Sequence, residues 1–230
     1  PYEEKAVASS LMEGSLSAGK IVSEAKNEKL GTTNLSLSNG VTLTVKPTTF
    51  KNDEILMDCW RWGGWQRFSL EDKDNAKHAA ELVSMMGVKD MSPTDLQKFL
   101  SGKTVDVMPY VNDHEEGVQG SSSTKDFEIF LQLVNLYFTQ PRKDQALFNS
   151  YVTKQKGQLQ FLKSNPKYFF QDTLYKIAYN NSPWVTFLPS PAEFENLKLD
   201  KVIADYEKIF SNADGMHFTF VGNVDPSEAK

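Results

Sequence analysis

The sequence predicts an α+β domain: an antiparallel or mixed sheet with helices packed on one face. Three observations carry that expectation. Strand-like segments come early and in hairpin pairs, a run of amphipathic helices follows, and one strand returns near the end of the chain. Hairpins imply antiparallel pairing, and strands grouped ahead of helices argue against a βαβ repeat.

The elements follow in order. Residues 1–33 are mixed in Ser, Glu, Lys and Gly with weak periodicity, and read as a linker or arm. Residues 34–230 read as one domain. Leu35–Val45 alternates apolar and polar residues around Asn39-Gly40, a dipeptide that accepts the positive φ of a tight turn. Ile55–Trp62 reads as the next strand and Gly63-Gly64 ends it. Asn75–Gly87 reads as a helix with an apolar stripe of Ala79, Leu82, Val83 and Met86. Ser92-Pro93-Thr94-Asp95 opens another, with a capping serine and proline in the first turn.

Thr104–Val111 and Glu116–Ser122 form a second strand pair across Asn112–Glu115. Phe127, Phe130, Leu131, Val134 and Phe138 recur at helical spacing, and Pro141 stops that helix. Gln145–Leu162 is a long amphipathic helix, and Phe169, Phe170, Leu174 and Ile177 mark another. Leu199–Phe210 is a further helix and Met216–Gly222 a closing strand. The chain begins without Met and reaches Lys230 where a helix begins, so it reads as a segment of a longer polypeptide with its last helix truncated.

Composition narrows the function. The 230 residues are 40% hydrophobic and 24% charged, with a net charge of −5. That balance suits a folded soluble domain and gives no basic stripe for nucleic acid. One cysteine, Cys59, excludes an internal disulfide and a cysteine-rich zinc site. No apolar run approaches the ~20 residues of a membrane span.

The segment with chemistry in it is His78-Ala-Ala-Glu81-Leu82. A helix bearing H-x-x-E-H sets two imidazoles one turn apart with a carboxylate between them. Here the second histidine position holds Leu82. His114 lies in a polar turn and His217 within the last strand. Trp60 and Trp62 share a strand face and suit packing or a surface between domains. Arg142, Lys143 and Asp144 read as a charge cluster at a helix start. No serine has a plausible base nearby, and no Gly-rich phosphate loop exists.

The order of these motifs resembles the pitrilysin/insulinase family of zinc peptidases, over about residues 34–230. The resemblance rests on the hairpin Leu37-Ser38-Asn39-Gly40-Val41, the strand ending in Gly63-Gly64, the H-x-x-E helix, and the ending Phe218-Thr-Phe-Val-Gly-Asn-Val-Asp225. Phe138-Thr-Gln-Pro-Arg-Lys-Asp144 has the look of bacterial members. The resemblance implies a half-domain of the mitochondrial-processing-peptidase-like type. It implies that two histidines and a distal glutamate bind zinc, with the intervening glutamate as general base. Mapped onto this chain, the first ligand is His78, the base Glu81 and the second ligand Leu82. The distal glutamate falls within Tyr151–Gln158, where no carboxylate exists and Gln158 or Gln155 takes the place.

With two of three ligands missing, the expectation is no metal and no cofactor in this segment, and no catalytic residue beyond the remnant. Zinc then belongs to the catalytic half of the parent protein. The resemblance further implies a clamshell in which this domain lines the chamber, with the catalytic half and a peptide substrate as partners. A sheet edge could hold that peptide by strand addition. Bacterial envelope members favour the periplasm over the cytoplasm. Two alternatives stand beside this reading: an active zinc endopeptidase with other ligands, and a scaffold or core subunit without proteolysis.

Overall fold

In a computed structural model, residues 10–12 and 19–227 are described. Seven strands form one mixed sheet: β1 (Ile21–Asn27), β2 (Thr32–Leu37), β3 (Thr42–Pro47), β4 (Ile55–Trp62), β5 (Val105–Val111), β6 (Glu115–Ser122) and β7 (His217–Gly222). Their order across the sheet is β1-β2-β3-β7-β4-β6-β5. Only β3 and β7 pair in parallel, so the late strand closes the sheet between the two early hairpins. Seven helices complete the domain: α1 (Lys73–Met86), α2 (Pro93–Phe99), α3 (Phe127–Thr139), α4 (Gln145–Ser164), α5 (Pro166–Ala178), α6 (Pro191–Glu195) and α7 (Leu199–Phe210).

The predicted α+β class holds, and the alternation of each strand explains the layering. Ile55, Met57 and Cys59 of β4 are buried, whereas Leu56 and Trp62 on the opposite face are 47% and 70% exposed. Leu43, Val45, Val107, Val118 and Phe220 join the buried side. The helices cover that face, and the other lies open. Trp60 and Trp62 pack edge-to-face on the open side with ring centres 5.5 Å apart. The spacing of two had placed them together.

Helix α1 sits on the covered face because its stripe is continuous. Ala76, Ala79, Leu82, Val83 and Met86 are fully buried. Removing a buried leucine from such a stripe costs about 2–5 kcal/mol, so Leu82 is core as well as a motif position. The helix ends at Gly87, whose φ of 85° is left-handed. A Cβ there would lie 2.2 Å from the Met91 carbonyl oxygen.

One expectation needs correcting. Residues 1–33 are not all arm, because Ile21–Asn27 is the edge strand β1, paired antiparallel with β2, and Thr32 already belongs to β2. The sequence concealed it because Ser23–Lys26 are exposed on both sides, so no apolar alternation marks the strand. Ladder hydrogen bonds hold it, with a register shift between Ile21 and Ser23. Leu11, also in the expected arm, is buried in the core. Residues 1–9 and 13–18, and the start of the expected last helix at 228–230, lie outside the described residues.

The opposite edge is β5. Asn112 N–H donates to the Glu115 carbonyl and Ser123 N–H to the Thr104 carbonyl. Even-numbered residues of β5 therefore bond inward to β6, and Pro109, which has no N–H, turns its nitrogen outward. No ladder bond is lost, and the free edge is interrupted at its centre.

A buried carboxylate pins the covered face together. Glu116 of β6 is fully buried and accepts from Arg61 Nε at 2.8 Å, Arg67 Nη2 at 3.0 Å and Gly64 N–H at 3.0 Å. Arg61 also donates to the carbonyls of Ile209 in the last turn of α7 and of Asn212 and Asp214 just after it. A Cβ on Gly63 would meet the Glu116 carboxylate at 2.6 Å, which is why the strand ends in glycine here. Glu116→Ala should leave Arg61 without its partner and cost about 3–5 kcal/mol, read as a lowered urea midpoint. A loss under about 1 kcal/mol would show that the pair is not the clamp.

Candidate functional site

Three helices converge on His78. Helix α1 supplies Lys77, His78 and Glu81. Helix α4, capped by the Asp144 carboxylate accepting from the Ala146 and Leu147 N–H groups, brings Tyr151 over them. The short helix α6, capped by Ser190 with Pro191 in its first turn, brings Glu193.

The polar contacts fix where the protons are. Tyr151 Oη lies 2.6 Å from Glu81 Oε2, and a phenol has one proton, which it donates to that carboxylate. The same oxygen lies 3.0 Å from His78 Nδ1, so Nδ1 must be the donor there. On the other side His78 Nε2 is 2.9 Å from Glu193 Oε1. The Glu193 carboxylate also takes Lys77 Nζ at 2.8 Å, so it is an anion accepting from two cations. Both ring nitrogens of His78 are therefore taken up by partners, and the contacts favour the imidazolium form.

The titration directions agree with that assignment. Burial works against charge on His78, but its contacts with the Glu193 and Glu81 carboxylates outweigh burial and raise its pKa above the ordinary 6.5. Burial likewise opposes ionisation of Glu193, yet His78 and Lys77 bring it down from 4.5 to about 2. Glu81 is lowered by His78, with the Tyr151 donor assisting. Burial, then the Glu81 carboxylate, raises Tyr151 and keeps its proton in place.

The residues expected to form a zinc site are thus in one place, but the donor set does not fit zinc. A ligating histidine offers a lone pair to the metal, and both ring nitrogens of His78 are already engaged by Glu193 and Tyr151. Leu82 is buried and offers none. Gln155 is half-buried and hydrogen-bonds the Tyr151 phenol, while Gln158 is exposed. Lys77 places a positive charge against the one further carboxylate. Among the described residues, no group of three or more His, Cys, Asp or Glu is arranged to hold a metal.

His114 lies exposed in the β5–β6 turn, and His217 on β7 contacts the hydroxyls of Thr42 and Thr44 across the sheet. Arg142 pairs with Asp144 and reaches the Met86 carbonyl, tying the start of α4 to the end of α1.

Sequence reasoning missed Tyr151, Glu193 and Lys77. Tyr151 opens the very segment searched for a carboxylate, so an acid was sought where a phenol serves. Ser190-Pro191-Ala192-Glu193 is legible as a capped helix start. Nothing in the sequence ties Glu193 to a histidine 115 positions away.

Comparisons with known proteins bear on this geometry. No family model matches the chain. A zinc protease PQQL-like protein from Arabidopsis thaliana is 21% identical over the whole chain, which covers 21% of that protein. In fold the chain is similar to domains of zinc proteases and M16-like peptidases. Among solved structures it is similar to the periplasmic protease PqqL from Escherichia coli, with a TM-score of 0.84 and 21% identity over 99% of this chain. It is also similar to the ferredoxin protease FusC, solved as a mutant in complex with Arabidopsis ferredoxin, with a TM-score of 0.83 and 13% identity. A protease from Helicobacter pylori superposes over 86% of the chain with a TM-score of 0.69 and 14% identity. The chain spans about a fifth of the plant relative and 25% of PqqL and of FusC.

The ion network makes a pH prediction. A carboxyl lowered from 4.5 to about 2 on folding stabilises the fold above 4.5, and the gain is lost as pH falls from there through 2. A histidine raised above 6.5 stabilises below 6.5, and its gain is lost as pH rises through the raised value. The network is therefore strongest between pH 4.5 and 6.5. Glu193→Gln should cost on the order of 3 kcal/mol in that window. The cost should shrink toward both flanks in urea titrations. A cost independent of pH would show that charge plays no part.

Proposed function

We propose that this chain is a non-catalytic domain of a pitrilysin/insulinase-type zinc peptidase, lining the substrate chamber and supporting peptide hydrolysis by a separate catalytic domain. The observation that carries this reading is the engagement of both His78 ring nitrogens by Glu193 and Tyr151, beside Leu82. A catalytic zinc site needs three protein ligands and an open water position. Without the ion, no bound water is brought toward neutral pKa and no carbonyl is polarised. Glu81, the position of a general base, instead accepts the Tyr151 proton.

Zinc then resides in the catalytic domain of the parent protein, and that domain and a peptide are the partners. The size of the relatives supports this, since this fold unit makes up only a quarter of PqqL. Of the two sheet edges, β1 suits an added peptide strand better than β5, whose outward donors are broken at Pro109. PqqL is described as periplasmic, and we place the parent of this chain there too. Among the described residues, no helix is long and apolar enough to cross a membrane.

The purified chain should carry no stoichiometric zinc by elemental analysis. Leu82→His alone should yield neither zinc binding nor zinc-dependent peptide cleavage, because both ring nitrogens of His78 are engaged by Glu193 and Tyr151 and Tyr151–Gln158 supplies no distal carboxylate. Stoichiometric zinc that is lost on His78→Ala, or cleavage abolished by Glu81→Gln, would overturn the non-catalytic reading in favour of an active endopeptidase.

A further inference from the structure

Helix α5 is amphipathic in reverse. Its one buried residue is polar: Asp172 accepts from the Leu188 N–H and pairs with Lys176. Its large apolar residues face outward. Phe170, Leu174 and Ile177, one face at helical spacing, are 66%, 52% and 73% exposed. Phe169 beside them is 64% exposed, and Phe161 in the last turns of α4 is 72% exposed. Single exposed apolar residues are ordinary, but a contiguous helical stripe marks a docking surface.

Charge narrows what docks. Between Gln145 and Ala178 the sequence holds Lys154, Lys156, Lys163, Lys167 and Lys176 against one acid, Asp172, for a net charge of +4, and Lys156 pairs outside that stretch with Glu195. The whole chain carries −5, so the remainder carries −9. All five lysines are exposed. Lys163 and Lys167 flank the N-terminal end of α5, where the helix dipole adds positive potential. A second copy presenting the same basic face would be repelled.

We propose that the outward face of the α4–α5 hairpin docks an acidic polypeptide segment carrying apolar side chains. Apolar residues of the partner cover Phe170, Leu174 and Ile177, and its carboxylates meet Lys163 and Lys167. Oppositely charged rims around an apolar centre set encounter rate and register, while the centre holds the complex. None of these residues belongs to the His78 network, so this surface is separable from the reading of the zinc-site remnant.

The test uses the full chain and a fluorescein-labelled peptide of alternating glutamate and leucine, followed by anisotropy. The peptide should bind, and raised salt should weaken it. Leu174→Asp with Ile177→Asp should weaken binding about tenfold or more, and Lys163→Glu with Lys167→Glu should do so without touching the apolar stripe. Trp62→Ala, on the open sheet face, should leave binding unchanged. All of these side chains are exposed, so circular-dichroism melts should match the parent chain. Three results would each overturn the proposal: equal binding of a lysine–leucine peptide, a dimer in sedimentation that Leu174→Asp abolishes, or retention on anionic phosphatidylserine vesicles with no peptide binding.

Discussion

Glu193 is the anion on which the arrangement around His78 depends. It is nearly fully buried on a helix of five residues, next to Phe194, which is also buried and packs on the His78 ring. A bare carboxylate there would be prohibitive, and two donated cations make it tolerable. The consequence passes along the chain of contacts. Glu193 favours a proton on His78 Nε2, and Tyr151, whose hydroxyl hydrogen points to Glu81, favours one on Nδ1. The His78 ring then joins α1 to α6 on one side and to α4 on the other. A metal ion joins helices by drawing lone pairs inward. This network does the same with protons and an inverted sense of donation. Restoring metal binding would therefore mean freeing His78 from two partners as well as supplying new ligands.

The second buried carboxylate, Glu116, plays a similar part at the other end of the layer. It fixes Arg61, which in turn holds the carbonyls that follow α7. Both sites lie on the covered side of the sheet, and each fastens helical structure across elements far apart in sequence. Charged anchors of this kind add less net stability than their geometry suggests, because desolvation offsets attraction. Their value here is positional: each admits one arrangement of the helices and penalises the others with an unpaired buried charge.

Much of this fold was legible in the sequence. The Asn39-Gly40 hairpin, β4, α1 and α7 all fall where periodicity and turn chemistry put them, because a single rule governs each. The exceptions have physical causes. Strand β1 shows no alternation since neither of its faces is buried, and edge pairing leaves no trace in side-chain pattern. The class of the His78 site was legible from spacing. Its protonation was not, since that is set by Tyr151 and Glu193, brought in by tertiary packing from α4 and α6.

Helix α5 is the most instructive case, because the reading of its pattern was correct and incomplete. Phe169, Phe170, Leu174 and Ile177 do mark a helix, and their side chains face out. Periodicity reports that a face will be covered and says nothing of what covers it. For α1 the cover is the domain's own sheet. For α5 the inward side is occupied by Asp172 and its hydrogen bond to Leu188, which fixes the helix's rotation. Turning the stripe inward would carry Asp172 away from the Leu188 N–H and leave that buried donor without its acceptor. The surface that α5 offers is therefore already formed in this domain.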